Sequence, residues 1–169
     1  DLFADGEKVP EFLVWAQKDK HSASLQRIQI IKGSITNSGA RPSEKVFDVV
    51  CSDGLKVDPT THRCPDNGAR VNIEDCSITS NVGATELKAT WRDPEFNPKD
   101  KAFYYVRVLE NPTCRWSTWD ALKAGIKPRS DLHETIQERA WSSPIWYIPV
   151  PEDIDCLLYT SDAADEQQR

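Results

Sequence analysis

The chain has no methionine among its 169 residues and only three histidines. It has no apolar run approaching the roughly 18 residues that a membrane-spanning helix needs, which excludes a transmembrane helix. It carries no C-x-x-C pair, so the spacing of a structural zinc site is missing. G-x-S-x-G, G-x-G-x-x-G and Walker patterns are also lacking, which removes the usual nucleophile elbow and phosphate-cradling loops. Basic residues do not dominate: 21 Lys and Arg face 27 Asp and Glu, for a net charge of −6. Scattered cations in an acidic chain argue against a nucleic-acid or anionic-membrane partner, which would need a clustered basic patch. The chain starts at Asp1 rather than Met. Together with the missing methionines this reads as an internal fragment, so no weight falls on the lack of a signal peptide.

The three histidines do not make a metal site on the page of the sequence. His21 follows Lys18-Asp19-Lys20 in a polar turn, and His62 lies in the loop Thr61-His62-Arg63-Cys64. His133 opens HETIQE, which lacks the second imidazole of H-E-x-x-H. Solvated surface histidines are expected at all three. Two Asp-rich loops, with Asp53, Asp58 and Asp66 in one and Asp93, Asn97 and Asp100 in the other, offer oxygen ligands for calcium. The Gly and Pro beside them fit turns better. Ser142-Ser143 has no adjacent base in sequence. No catalytic residue and no metal ligand are assigned.

What is present is an ordinary globular composition, 38% hydrophobic and 28% charged, with mean hydropathy −0.58. One domain over residues 1–150 is expected, with a tail from 151 to 169. Within that tail, residues 156–166 (CLLYTSDAADE) resemble a translated transposase-type sequencing adaptor and are expected to be non-native. The tail's Asp162, Asp165, Glu166 and Arg169 supply −2 of the net charge, which leaves −4 for residues 1–155. Cys156 is then set aside, and four cysteines remain: Cys51, Cys64, Cys76 and Cys114. An even number at loop-like positions points to disulfides and an oxidising compartment, periplasmic or secreted. Three pairings are open. Cys51 with Cys64 is the leading one, because it closes the turn-rich loop between them. Four buried thiols in a cytoplasmic protein is the alternative.

Strand patterns dominate. Phe12–Ala16 (FLVWA) is a nearly continuous apolar run after Pro10, suited to a sheet edge. Leu25–Lys32 places Ile28 and Ile30 on one face and Arg27 and Gln29 on the other. Val46–Cys51 alternates as well. Glu86–Trp91 sets Leu87, Ala89 and Trp91 against Glu86, Lys88 and Thr90, the pattern of a half-buried strand. Phe103–Leu109 is apolar on both faces, as in a central strand. Gln137–Ile148 is strand-like around Pro144. One helix is marked over Thr118–Ala124, with Ser117 and Asp120 at capping-box spacing and Gly125 as a left-handed stop. A weaker helical pattern at Ser80–Leu87 competes with the strand there. Short strands between turn-rich loops predict a mainly β protein, an antiparallel β-sandwich-like domain of immunoglobulin-like character with one short helix. Tyr104 or Tyr105 would anchor its corner.

Six tryptophans stand out. Trp116, Trp119, Trp141 and Trp146 crowd the C-terminal third together with Tyr147. They read either as aromatics that pack a domain interface or as a platform for sugar rings or a partner protein. Arg107, Arg115 and Arg139 lie beside them and are candidates to pair with carboxylates or stack on indoles.

Several segments, in order and spacing, carry a resemblance: PEFLVWAQKD, LQRIQIIKG, EKVFDV, VGATELKATWRDPEFNPKDKAFYYVRVLE, PTCRWSTWDA and IQERAWSSPIWY. Over nearly all of residues 1–150 the chain resembles the C-terminal end of the bacterial domain-of-unknown-function family DUF 3604. That resemblance implies kinship with PHP-type metal-dependent hydrolases. The family's metal-binding His and Asp would lie in an N-terminal barrel-like portion, and none of them maps onto this sequence. The expectation is a non-catalytic C-terminal module of a hydrolase of uncharacterised substrate. A divalent metal would belong to the parent, and the N-terminal catalytic portion of the same chain would be the partner. The alternative is an independent carbohydrate- or protein-binding sandwich. The Cys51–Cys76 loop resembles a variable insertion.

Overall fold

The structure is a computed structural model that describes residues 9–35 and 41–149. The adaptor-like tail lies outside those residues. Among the described residues the fold is mainly antiparallel β with one helix, in two unequal layers. The larger sheet is built on Leu25–Ile35 (β2), which lies between Ser43–Cys51 (β3) and Lys101–Glu110 (β5). The far edge of β5 is shared by Arg139–Trp141 (β8) and Ile145–Tyr147 (β9), which pair with its two ends. Pro144, which has no N–H to give a ladder, falls between those two short strands. The smaller layer is a ribbon of Glu11–Gln17 (β1) and Glu86–Arg92 (β4). Thr113–Cys114 (β6) and Thr135–Ile136 (β7) form a two-stranded bracket around the helix Trp116–Ala124 (α1).

Cross-strand register fixes which side chains share a face. Ile28 is opposite Val108, Ile30 opposite Val106, and Lys32 opposite Tyr104. These form the inner face, which meets Phe12, Val14 and Leu87 of the ribbon in one core with Ala102 and Tyr147. Phe12 packs on Tyr104 with ring centroids 4.8 Å apart. Each fully buried Ile or Phe here contributes about 1.5–3 kcal/mol by leaving water. The FLVWA segment behaves differently from a continuous buried run. Phe12 and Val14 are buried, whereas Leu13 and Trp15 are exposed on the ribbon's outer side. β1 has a sheet partner and a core beneath it on one side only, so its residues alternate.

The inner face also holds a buried ion pair. Lys32 Nζ lies 2.5 Å from Asp93 Oδ2, and the Tyr104 hydroxyl donates to the same oxygen at 2.7 Å. The Glu95 amide donates to Asp93 Oδ1 at 2.9 Å, while Lys32 also donates to the Glu95 carbonyl at 2.8 Å. Every strong donor and acceptor around the buried carboxylate is thus satisfied, which offsets its desolvation. Burial first, and then the Asp93 hydrogen bond and charge, push the Tyr104 hydroxyl far above the ordinary phenol range. Of the two corner candidates Tyr104 takes the anchoring role, and its target is a side-chain carboxylate.

Both disulfides are formed: Cys51–Cys64, with Cα atoms 5.7 Å apart, and Cys76–Cys114, at 5.6 Å. The long connection from β3 to β4 is otherwise irregular, with an isolated bridge between Val71 and Ile78 and another from Ala84 to Leu25. The Ser80–Leu87 helical pattern does not form a helix: Asn81 and Gly83 have φ of 61° and 92°, and β4 starts at Glu86. The observed helix starts earlier than the capping-box reading. Its N-cap is Arg115, extended at φ −64° and ψ 148°, with no side-chain cap. The Arg115 amide is held by the Glu134 carbonyl at 2.9 Å, and Thr118 Oγ1 donates to that same carbonyl at 2.8 Å. The β6–β7 bracket therefore sets the start of the helix, so the Ser117/Asp120 spacing is not used. Gly125, at φ 65°, ends it as expected.

Candidate functional site

The outer face of the larger sheet carries the second set of in-register residues. Gly33, Phe103 and Trp146 form one row, Ile31 and Tyr105 another, and Gln29, Arg107 and Trp141 a third. The ribbon covers the opposite side; on this face Trp146 and Trp141 are exposed, Phe103 and Tyr105 are partly exposed, and Ile31 and Gln29 are buried. Phe103 lies flat over Gly33: a Cβ on that glycine would come within 2.2 Å of the ring. A glycine under an aromatic ring lets the ring rest on the backbone. Phe103 touches Trp146 with centroids 5.2 Å apart. On its other side it is nearly parallel to Tyr105, at 13° and 6.3 Å. The result is a strip of three rings, with Trp141 two residues further along the same face as Arg139.

The five C-terminal aromatics do not form one cluster. Trp141 and Trp146 are 60% and 50% exposed on the strip, and Trp116 and Trp119 are 71% and 41% exposed on α1. Among the described residues no ring contact joins the two pairs; Trp119 instead has Lys123 Nζ 5.8 Å from its ring. Tyr147 belongs to neither pair. It is buried on the inner face, packed on Phe96 at 4.9 Å, with its hydroxyl donating to the Pro98 carbonyl at 2.9 Å. The period-two alternation of β9 sends Tyr147 inward and Trp146 outward. Among the described residues, the arginines named beside these aromatics do not pair with carboxylates or indoles. Arg107 Nε donates to Gln29 Oε1 at 2.7 Å, and Arg115 Nε donates to the His133 carbonyl at 3.1 Å.

A buried polar network backs the strip. Asp48 accepts from Gln29 Nε2 at 2.6 Å and from the Cys64 amide at 2.7 Å. Arg63 and Arg27 lie 3.4 Å and 3.8 Å from its oxygens. This carboxylate links the strand to the disulfide loop, and the Cys51–Cys64 bond closes beside it. Sequence reasoning missed Asp48 because an acidic residue in an alternating strand reads as its solvent side. The Val49 bulge against β2 and the overlying loop bury it instead.

The remaining polar candidates are structural. His62 is half-buried against Phe47, with ring centroids 5.1 Å apart, and not a solvated surface residue. The loop aspartates spend their oxygens on turns: Asp58 on the Thr60 and Thr61 amides, Asp66 on Gly68 and Arg70, and Asp53 on Gly83. Arg70 first, then the Gly68 amide, lower the Asp66 carboxyl to about 2. All four cysteines among the described residues are in disulfides, so no thiolate remains for a metal. Among the described residues no group of three or more His, Cys, Asp or Glu is placed to share a metal ion.

A family model described as "Protein of unknown function (DUF3604)" matches residues 1–149. The chain belongs to the DUF3604 family. No curated protein and no solved structure matches it. Within this DUF3604 chain, no helix among the described residues is long and apolar enough to cross a membrane.

Proposed function

We propose that this DUF3604 chain is a non-catalytic β-module that packs through its aromatic strip onto a PHP-like metal-dependent hydrolase portion of the same protein, in the periplasm or outside the cell. The single observation that carries this is the outer-face row in which the exposed Trp146 touches the partly exposed Phe103, Phe103 lies nearly parallel to Tyr105, and the exposed Trp141 lies beside them. Contiguous exposed aromatics mark an interaction face, and Trp and Tyr are the residues enriched at interface hot spots. The backing by Gly33 and the Gln29–Asp48 network holds the strip rigid before contact, which lowers the entropic cost of docking. The two disulfides fit an oxidising compartment.

The test is amide hydrogen exchange on this chain alone and within the full-length protein that carries it. Extra protection of residues 103–107 and 141–147 in the full-length protein is expected. Equal exchange in both contexts would sink the docking role. One observation favours a second reading, a carbohydrate-binding sandwich: the near-parallel Phe103 and Tyr105 rings offer a flat surface for pyranose stacking. That reading requires saturable binding of a neutral glycan by this chain alone, abolished by Trp146→Ala.

A further inference from the structure

A cleft of about 670 Å³ opens where residues 65–70, 112–115 and 133–139 meet the start of β2. We propose that it is a binding site for a sugar bearing an oxyanion group, namely a uronate, a sulfate ester or a phosphate ester. The proposal does not rest on the docking reading, although Trp141 borders both surfaces, and either can fail with the other intact.

Charge is the first argument. Arg27, Arg70, Arg115 and Arg139 all line this cleft, and Asp66 is the one carboxylate among its described lining residues. Arg70 pairs with Asp66 and Arg27 lies 3.8 Å from Asp48, so the charge left uncompensated among the described residues is that of Arg115 and Arg139, which an anion would neutralise. The sequence hides this, because these four residues are scattered over more than a hundred positions. Strand register gathers two of them: Arg27 and Arg139 both pair with Leu109, from opposite sides of β5, and so share the outer face. Their backbones are then about 10 Å apart, two strand spacings.

Spare donors are the second argument. Arg27 Nε is buried without a hydrogen-bond acceptor, its nearest carboxylate being Asp48 at 3.8 Å. Arg115 spends Nε on the His133 carbonyl, which leaves its two terminal nitrogens. The Arg139 side chain makes no hydrogen bond or ion pair with any described residue, whereas Arg70 is committed to Asp66. The planar guanidinium fork matches the paired oxygens of carboxylate, sulfate and phosphate.

Shape and rigidity supply the third. The volume is in the range of small-molecule sites and much larger than a bare ion requires. Both disulfides border the walls: Cys51 pairs with Arg27 and is bonded to Cys64 beside Pro65, and Cys114 precedes Arg115. The amides of Gln137 and Gln26 are fixed to each other at 2.9 Å, which sets polar groups suited to sugar hydroxyls next to the cations. The exposed Trp141 indole, two residues from Arg139 on the same face, offers a flat apolar surface for the C–H side of a ring.

Calorimetric titration of the 169-residue chain at low salt tests this. The probes are an oligogalacturonate, a sulfated disaccharide, a sugar phosphate, inorganic sulfate and a neutral oligosaccharide. At least one acidic sugar is expected to bind one-to-one, more tightly than inorganic sulfate, with no binding of the neutral probe. Which acidic probe wins identifies the oxyanion. Arg115→Gln and Arg139→Gln should each weaken that binding about tenfold, the cost of one lost charge-assisted contact. Neither guanidinium pairs with a carboxylate among the described residues, and an unchanged near-ultraviolet dichroism spectrum would establish that both variants fold. Equal affinity for inorganic sulfate would overturn the sugar assignment. No binding by any acidic probe, or full affinity in both folded variants, would overturn the site.

Discussion

The two faces of the five-stranded sheet are made by the same strands and do opposite things. On the inner face Ile28, Ile30 and Tyr104 share one core with Phe12, Val14 and Leu87 of the β1–β4 ribbon, and the Lys32–Asp93–Tyr104 cluster is hydrogen-bonded within it. On the outer face Trp141 and Trp146 are exposed, Phe103 and Tyr105 are partly so, and Arg107 and Arg139 have no acidic partner among the described residues. The inner face therefore carries the main core, and the outer face is where the proposed docking would take place.

Substitutions on the two faces should separate sharply. The largest loss is expected from Asp93→Ala, which strands Lys32 and the Tyr104 hydroxyl in the core. Removing one partner of a buried ion pair costs about 3–5 kcal/mol, read as a fall in the midpoint of chemical unfolding. A smaller inner-face effect comes with alkali. The Tyr104 hydroxyl ionises far above its unfolded value of 10.0, so its contribution is complete below pH 10. As pH rises through 10 the unfolded chain loses that proton while the folded one keeps it, and stability falls by up to about 1.4 kcal/mol per pH unit. Tyr147, raised by burial, adds a slope of the same sign. Tyr104→Phe should flatten part of that alkaline decline without abolishing it. An undiminished slope in the variant would remove Tyr104 as its source.

Much of this architecture was legible in the residues. Period-two alternation located β2, β3 and β4, Gly125 ended the helix, and the turn-rich loop suggested the Cys51–Cys64 bond. What could not be read depends on partners distant in sequence. Leu13 and Trp15 are exposed because β1 pairs with β4, some seventy residues on. Asp93 looked like a turn residue until Lys32, from the central strand, closed on it. The helix start moved because Glu134 holds Arg115 and Thr118. The five-aromatic cluster dissolved because β9 and α1 send neighbouring residues in different directions. The arginine cleft was the least legible of all, since no local pattern connects residues 27, 70, 115 and 139.

The most direct measurement is the thermal stability of the paired variant Trp141→Ala with Trp146→Ala in two settings, this chain alone and the full-length protein. Exposed side chains off the core contribute within about 0.5 kcal/mol each, so the isolated chain should unfold nearly as before. In the full-length protein the same change should loosen the module and lower its melting temperature by several degrees. An equal effect in both settings would contradict a docking role for the outer face.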